Sequence, residues 1–582
     1  MNEIKSKLNN ILINAIFTLY NIKIDEIKLE NPPKKEFGDF CFAPFLISKE
    51  IKKSPNQISN ELKDYLQNND IFLEISVDGP YLNLKLSYIF YQDILTYFFI
   101  KQPNIGNGNK IVVDYIGANI GKPLHIGHMC TPNQGQVTCN LFRYLGYEVI
   151  GDSHLGDWGI IFGKLILAYT LWGEEEKLKD NAVNHLFELY IKITKESEVD
   201  VSLEDKIRET FLKLSSGDKN YIKLWQEFTS YSILAMQKEL DRLNIEPTYH
   251  IGESFYEGLN LPKMGDYPDL KYSMTDIVKE LLKLNIAQKN DDNSVGVIFL
   301  ENSKIPSCML AKRDGTHGYL ASDLAAIKYR VDSFNPEKII YHVDIRQELH
   351  FKQAFEISSN AKWIEKEKLI FAGNGFISLK TGTMSSRTGN IIRLKDLLDE
   401  AVNRAKKIII QKNPDIGEKN LNDIGEIIGI GSIKYEYLSK SRNTDIVFDF
   451  DEFITFEGNS FPYVAYSYVR ALKLIEKSGV ELEILKNFKN INLDKKEQLE
   501  ILKNIVALNE TLILVGENMS YHNLISYIYN LSKDFSLFYN NVNILQEEDE
   551  NKKLTNLKLI YLYKEVLDIV FKILAIKLPI KM

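Results

Sequence analysis

Residues 117–128 read GANIGKPLHIGH and follow IVVDY (111–115), a short apolar run that closes on a carboxylate. Such a run before a glycine-rich loop reads as a buried strand, and the loop then lies at the strand's carboxyl end, where α/β sheets bind their ligands. Gly117, Gly121 and Lys122 have the parts of the phosphate cradle G-x-x-x-x-G-K-[ST]. However, only three residues separate the glycines, and Pro123 stands where a hydroxyl must reach magnesium. A P-loop is therefore excluded. A helix starting near His125 would put His125 and His128 one turn apart on one face, beside the free N–H groups of the first turn. Their ring donors would stabilise negative charge that builds on a phosphorus under attack. Gly127 would let a flat base approach the backbone.

Working outward, a helix to about Tyr144 and the strand YEVIGD (147–152) follow, and EKIIYHVDI (337–345) and KLIFAGNGFI (368–377) are later strand candidates. This alternation predicts a parallel, Rossmann-like α/β sheet over 105–395, with charged helical segments at about 174–300 inserted between its halves. Upstream, KQPNIGNGNK (101–110) reads as a linker, which sets off residues 1–104 as an α+β module. In that module a helical pattern from Ile47 to Leu66, broken at Pro55, precedes two strands around Asp78, Gly79 and Pro80. Beyond about 395 the strand signal fades. A helical connection (396–455) and an all-α bundle (456–582) are expected.

At 582 residues and 45% hydrophobic, the chain can bury several cores. Cys41, Cys130, Cys139 and Cys308 form no C-x-x-C pair, which suits a reducing compartment and predicts no structural zinc. There is no apolar run of bilayer length, and MNEIKSKLNNILINAIFTLY at the start lacks a small-residue cleavage site, so a cytoplasmic protein without a membrane partner is expected. The net charge of −8 gives no global pull on nucleic acid, which leaves that question to local motifs.

P-x-H-x-G-H after a strand resembles the first signature of class I aminoacyl-tRNA synthetases, and the longer N-I-x-K-P-x-H-x-G-H (Asn119 to His128) resembles the arginyl-tRNA synthetases in particular. SHLGDWG (153–159), GESFY (252–256), RDGTHGYLASDLAAIKYR (313–330), IIYHVDIRQELHFKQ (339–353), LSKSRNTDIVFDFDEFITFEGN (438–459) and PYVAYSYVRALKL (462–474) are similar to that family in the same order. The resemblance runs from end to end. It implies arginine, ATP with magnesium, and arginine tRNA as partners, adenylate formation before transfer to the terminal adenosine, and a monomer. Members usually need bound tRNA before they activate arginine.

The resemblance also assigns residues. His125 and His128 are implied as catalytic. The second signature K-M-S-K-S appears as Thr383-Met384-Ser385-Ser386-Arg387, without either lysine. Met384, Ser385, Ser386 and Arg387 are implied to bind ATP, together with Gly127 and with His350 at the adenine. Family members with a degenerate second signature carry a lysine just before the first, here Lys122, with Lys380 as the alternative. A guanidinium calls for carboxylates that can fork onto it. Asp114 and Asp323 are implied there, with Asn119 at the substrate's backbone end and His154, Tyr319 and Gln347 as further contacts. One departure is Met129-Cys130, where the family has Leu-Arg. In the N-terminal module, Tyr81 is implied to stack on an RNA base and Asn83 to bond its edge. In the bundle, Tyr466, Tyr468 and Arg470 fan over different helix faces, and Tyr466 and Arg470 are implied to reach RNA. The cysteinyl enzyme is the nearest rival, a non-catalytic RNA-binding subunit is a second, and a small-molecule nucleotidyltransferase with H-x-G-H is a third, which would not need two RNA-binding modules.

Overall fold

The computed structural model describes residues 2–259, 261–300, 303–379, 392–453, 455 and 458–582. At its centre are five parallel strands: β4 (Lys110–Asp114), β5 (Glu148–Leu155), β6 (Tyr249–Gly252), β7 (Lys338–Tyr341) and β8 (Leu369–Phe371). They run in the spatial order β8-β7-β4-β5-β6. The chain therefore reverses its winding between β4 and β7, and in a doubly wound sheet the crevice outside that switch point is the ligand site. Asp114 ends β4 opposite Tyr341 on one side and Asp152 on the other.

IVVDY forms this central strand because Ile111, Val112 and Val113 are fully buried, and only a strand covered on both faces tolerates such a continuous run. The helix after the signature loop, α1 (Thr131–Tyr144), lies close over its end. Gly135 permits this, since any Cβ there would collide with the Tyr115 ring.

The structure corrects three sequence expectations of the fold. The stretch 174–300 is not wholly an insertion: it supplies β6 to the core sheet, and helices α2 (Glu175–Val199) and α3 (Lys219–Arg242) precede that strand. The run at 368–377 splits at Gly373, and its second part starts β9 (Ile377–Leu379), which pairs with β10 (Ile446–Phe448) outside the main sheet. Of the signature histidines, His125 caps and His128 lies within a 3₁₀ turn, Ile126–Met129, before the α-helix starts at Thr131. Helices α4 (Tyr319–Phe334) and α5 (Glu348–Asn360) then carry most of the remaining predicted site residues.

The N-terminal module has a three-stranded antiparallel sheet, β1 (Phe40–Phe42), β3 (Tyr81–Leu86) and β2 (Phe72–Asp78), in that order. Its helices Phe45–Ile51 and Pro55–Leu66 divide where Pro55 and the Ser54 capping box require. The module's core is continuous with that of the C-terminal helices, and Lys503 bridges to Asp39 at 2.6 Å. The C-terminal bundle includes α7 (Phe461–Ser478), α8 (Tyr521–Asn541) and α9 (Glu550–Ile573), reached through α6 (Glu418–Ser439). It also grips α1: Thr138 bonds the Tyr521 hydroxyl and His342, and Asn140 donates to the Lys572 carbonyl. Among the described residues, no helix is long and apolar enough to cross a membrane.

Candidate active site

The loop leaves β4 under strain. Ile116 is buried and β-branched, yet has φ of 71°, a conformation that costs on the order of 1–3 kcal/mol and persists only where surroundings enforce it. Further along the loop, His125 and His128 cap the 3₁₀ turn reciprocally. His125 Nδ1 accepts the Gly127 N–H at 3.1 Å, and His128 Nδ1 accepts the His125 N–H at 3.0 Å. The ring centroids are 4.1 Å apart. A neutral imidazole that accepts at Nδ1 carries its proton on Nε2, so both rings keep Nε2–H as a donor. Both stay neutral at physiological pH: burial and the nearby Lys122 charge lower His125, and burial with His125 pushes His128 down to about 3. Gly127 has a local reason beyond any approaching base, because a Cβ there would lie 2.8 Å from the His125 ring.

The far side of the loop is sewn to the residues after the second signature. The Ile126 N–H donates to the Ile392 carbonyl at 3.0 Å, and the Leu394 N–H to the Leu124 carbonyl at 2.9 Å. Met384, Ser385, Ser386, Arg387 and Lys380 lie outside the described residues. Lys122 places its ammonium 4.2 Å from the centre of the Tyr190 ring on α2. It also lines a cavity of about 150 Å³ with Asn119, Asn184, Glu239, Arg393 and Asp396.

Near the ends of β5 and β6 lies a partly buried cluster of acids and histidines. His350 Nε2 is 2.5 Å from Asp323 Oδ2, and His154 Nε2 is 3.9 Å from Asp323 Oδ1. Glu253, the residue after β6, is pushed up to about 7 by burial and by the neighbouring Asp157, Asp323 and Glu257, against the pull of His154. Asp157 is fully occupied by the Ser254 N–H at 2.8 Å and hydroxyl at 2.6 Å. Asn119 and Gly156 pair across the loops that follow β4 and β5.

Some predicted residues are placed differently. Asp114 is not an open carboxylate: the fully buried Arg330 of α4 donates to it at 2.7 Å and to Asp152 at 2.7 Å. An internal guanidinium thus occupies the position expected for the substrate's. His350, expected at the adenine, has its Nε2 on Asp323. Tyr319 is 78% exposed at the start of α4, and Gln347 is exposed before α5. Cys130 is buried beside Asp344, whose carboxylate Arg346 holds at 2.8 and 2.5 Å, so that acid already has a cation.

In the N-terminal module, Tyr81 stands partly exposed against Phe45, whereas Asn83 is only 5% exposed in the interior strand. In α7, Tyr468 is buried with its hydroxyl on Asp568, whereas Arg470 stacks between Tyr466 at 4.4 Å and Tyr539 at 4.9 Å. Sequence reasoning missed Glu253, Arg330 and Tyr190. GESFY was noticed as a motif, but β6 was not read as a strand, so nothing placed Glu253 at a strand's carboxyl end.

Comparison with known proteins agrees along the whole chain. The families described as "Arginyl tRNA synthetase N terminal domain", "tRNA synthetases class I (R), catalytic domain" and "DALR anticodon binding domain" match residues 2–86, 92–450 and 464–582. The arginine–tRNA ligase of Fusobacterium nucleatum is 34% identical over 545 residues, covering 92% of this chain and 91% of that one. That of Clostridium perfringens is 35% identical over 541 residues, covering 91% and 92%. The fold is shared with the arginyl-tRNA synthetase of Plasmodium falciparum (TM-score 0.78, 23% identity, 100% of this chain and 99% of that one). It is shared also with that of Thermus thermophilus (0.77, 19%, 99% and 100%).

Proposed function

Since the chain belongs to the class I arginyl-tRNA synthetase family, we propose that its acidic pocket selects arginine and that its histidine pair and Lys122 carry the phosphoryl chemistry. The enzyme is an arginine–tRNA ligase. The arginine carboxylate attacks the α-phosphorus of ATP, the bond to the β-phosphate oxygen breaks, and pyrophosphate leaves. The terminal adenosine of arginine tRNA then attacks the activated carbonyl and AMP leaves. Magnesium enters with ATP as one substrate.

The two Nε2–H donors suit the first step because they are neutral and prepositioned. They gain strength as the α-phosphoryl oxygens gain charge, which favours the transition state over bound ATP. Lys122 offsets the charge of departing pyrophosphate, a task that the second signature, lacking both lysines, leaves to another cation. Met384, Ser385, Ser386 and Arg387 complete ATP binding.

The observation that carries the arginine reading is the Asp323–Glu253 pair beside His154, two carboxylates in one partly buried pocket. Burial, with repulsion from Asp157, Asp323 and Glu257, raises Glu253, and an entering guanidinium relieves it by bidentate pairing. Asp114 then acts indirectly, holding Arg330 and through it the pitch of α4, while Asn119 meets the substrate's backbone end. Tyr319 and Gln347 close on the ligand when it binds. Tyr81 and the Tyr466–Arg470 stack take unstacked tRNA bases. The enzyme acts as a cytoplasmic monomer and activates arginine only with tRNA bound. Asp323→Asn tests the pocket: the KM for arginine should rise at least tenfold with the KM for ATP unchanged, and an unchanged arginine KM would refute the reading.

A further inference from the structure

We infer that Tyr190 is a positioning residue that holds the Lys122 ammonium in reach of the reacting phosphates without neutralising it. The inference rests on the role given above to Lys122. Gly121, at φ of 75°, turns the chain just before the lysine, and its N–H is pinned by the Ser232 hydroxyl of α3 at 3.1 Å. The loop is thereby fixed against the inserted helices. Among the described residues, the ammonium's recorded partner is the face of the Tyr190 ring at 4.2 Å. That ring is nearly buried in the same core as the signature loop and the sheet. It cannot easily move away.

The neighbouring acids explain why an aromatic partner is needed. Lys122 lines its cavity together with Glu239 and Asp396, and Glu239 Oε2 is buried with no hydrogen-bond partner. Attraction alone would draw a lysine toward such a carboxylate. An ion pair there would cancel the charge wanted at pyrophosphate, and opening it would mean separating charges out of water. The ring's quadrupole holds a cation more weakly and leaves its full charge in place, so a phosphate can take it over.

The test is pyrophosphate exchange with arginine and tRNA in the full chain, using Tyr190→Phe, Tyr190→Leu, Lys122→Met and the Leu/Met double variant. Tyr190→Phe keeps the ring and should stay within about twofold of the parent. Tyr190→Leu should lower kcat roughly tenfold with the arginine KM nearly unchanged. In the Lys122→Met background it should cost nothing more, since coupled residues are non-additive. Adding Glu239→Gln to Tyr190→Leu should restore part of the rate by removing the competing acid. Tyr190→Leu at the parental rate, or a further full loss in the Lys122→Met background, would overturn the inference alone. Full activity of Lys122→Met would overturn the role of the lysine first and the inference with it. Should Tyr190→Leu fold poorly, a series of ring-fluorinated tyrosines at 190 keeps the shape, and kcat should fall as fluorination weakens the ring face. A flat series would also overturn the inference.

Discussion

Replacing His125 with asparagine separates the two tasks that the structure gives this ring. Its Nδ1 caps the 3₁₀ turn by accepting the Gly127 N–H at 3.1 Å, and its Nε2–H is the proposed donor to the α-phosphate. Asparagine is among the best capping residues and can keep the first bond, but its short side chain cannot reach where Nε2 was. Loss of one preorganised transition-state donor costs about 10²- to 10³-fold in kcat, or about 2.7–4 kcal/mol. Loss of a cap costs about 1 kcal/mol of stability. His125→Asn should therefore slow arginyl-adenylate formation at least about a hundredfold while its unfolding transition stays within about 1 kcal/mol of the parent; His125→Ala should lose both. Single-turnover adenylate formation and denaturant unfolding, run on the same samples, would decide. An asparagine variant that reacts within a few-fold of the parent would refute the donor role. A neutral donor also has a pH signature. An imidazolium would lose its effect as pH rises through about 6.5, whereas both histidines are shifted below that value, so the rate should show no such fall.

Other outcomes follow from the same geometry. Burial and the neighbouring acids push Glu253 up to about 7, so arginine affinity should weaken as pH falls below that value and the acid takes up a proton; Glu253→Gln should flatten the pH profile of arginine KM. Arg330→Met leaves Asp114 and Asp152 buried without their cation, which should cost about 3–5 kcal/mol at neutral pH by urea unfolding. Such unpaired acids have raised folded pKa values, so the deficit should shrink toward pH 5, where they protonate. Arg470→Ala removes the guanidinium between Tyr466 and Tyr539 and should weaken tRNA binding, most at low salt, while arginine binding stays unchanged in a direct titration. Gly127→Ala should impair adenylate formation much as His125→Asn does, because the added methyl would lie 2.8 Å from the His125 ring; parental kinetics there would mean that the ring orientation is not needed.

What could be read from the chain depended on whether the signal was local. IVVDY with its loop is contiguous, so the buried strand, the loop at its carboxyl end and the histidine pair all followed from one short stretch. The fork in the N-terminal module was equally legible, because Pro55 and the turn at Asp78, Gly79 and Pro80 act through their own backbones. Contacts between distant segments left no such trace. Arg330 and Asp114 are 216 residues apart, and a buried guanidinium looks in sequence like any helical arginine. β6 is only four residues long and holds a single fully buried side chain, Ile251, too little periodicity to announce a strand, and so Glu253 was passed over. The burial of Asn83 was illegible for a related reason: a motif gives its neighbours but not which face of β3 is covered.

The central claim is that this chain activates arginine with the pocket and signature described, under the control of RNA. Pyrophosphate exchange across a panel of amino acids, each with and without total tRNA, tests it most directly. The account predicts exchange with arginine alone, and only once tRNA is added. Tight tRNA binding without exchange for any amino acid, or exchange driven by a different one, would contradict it.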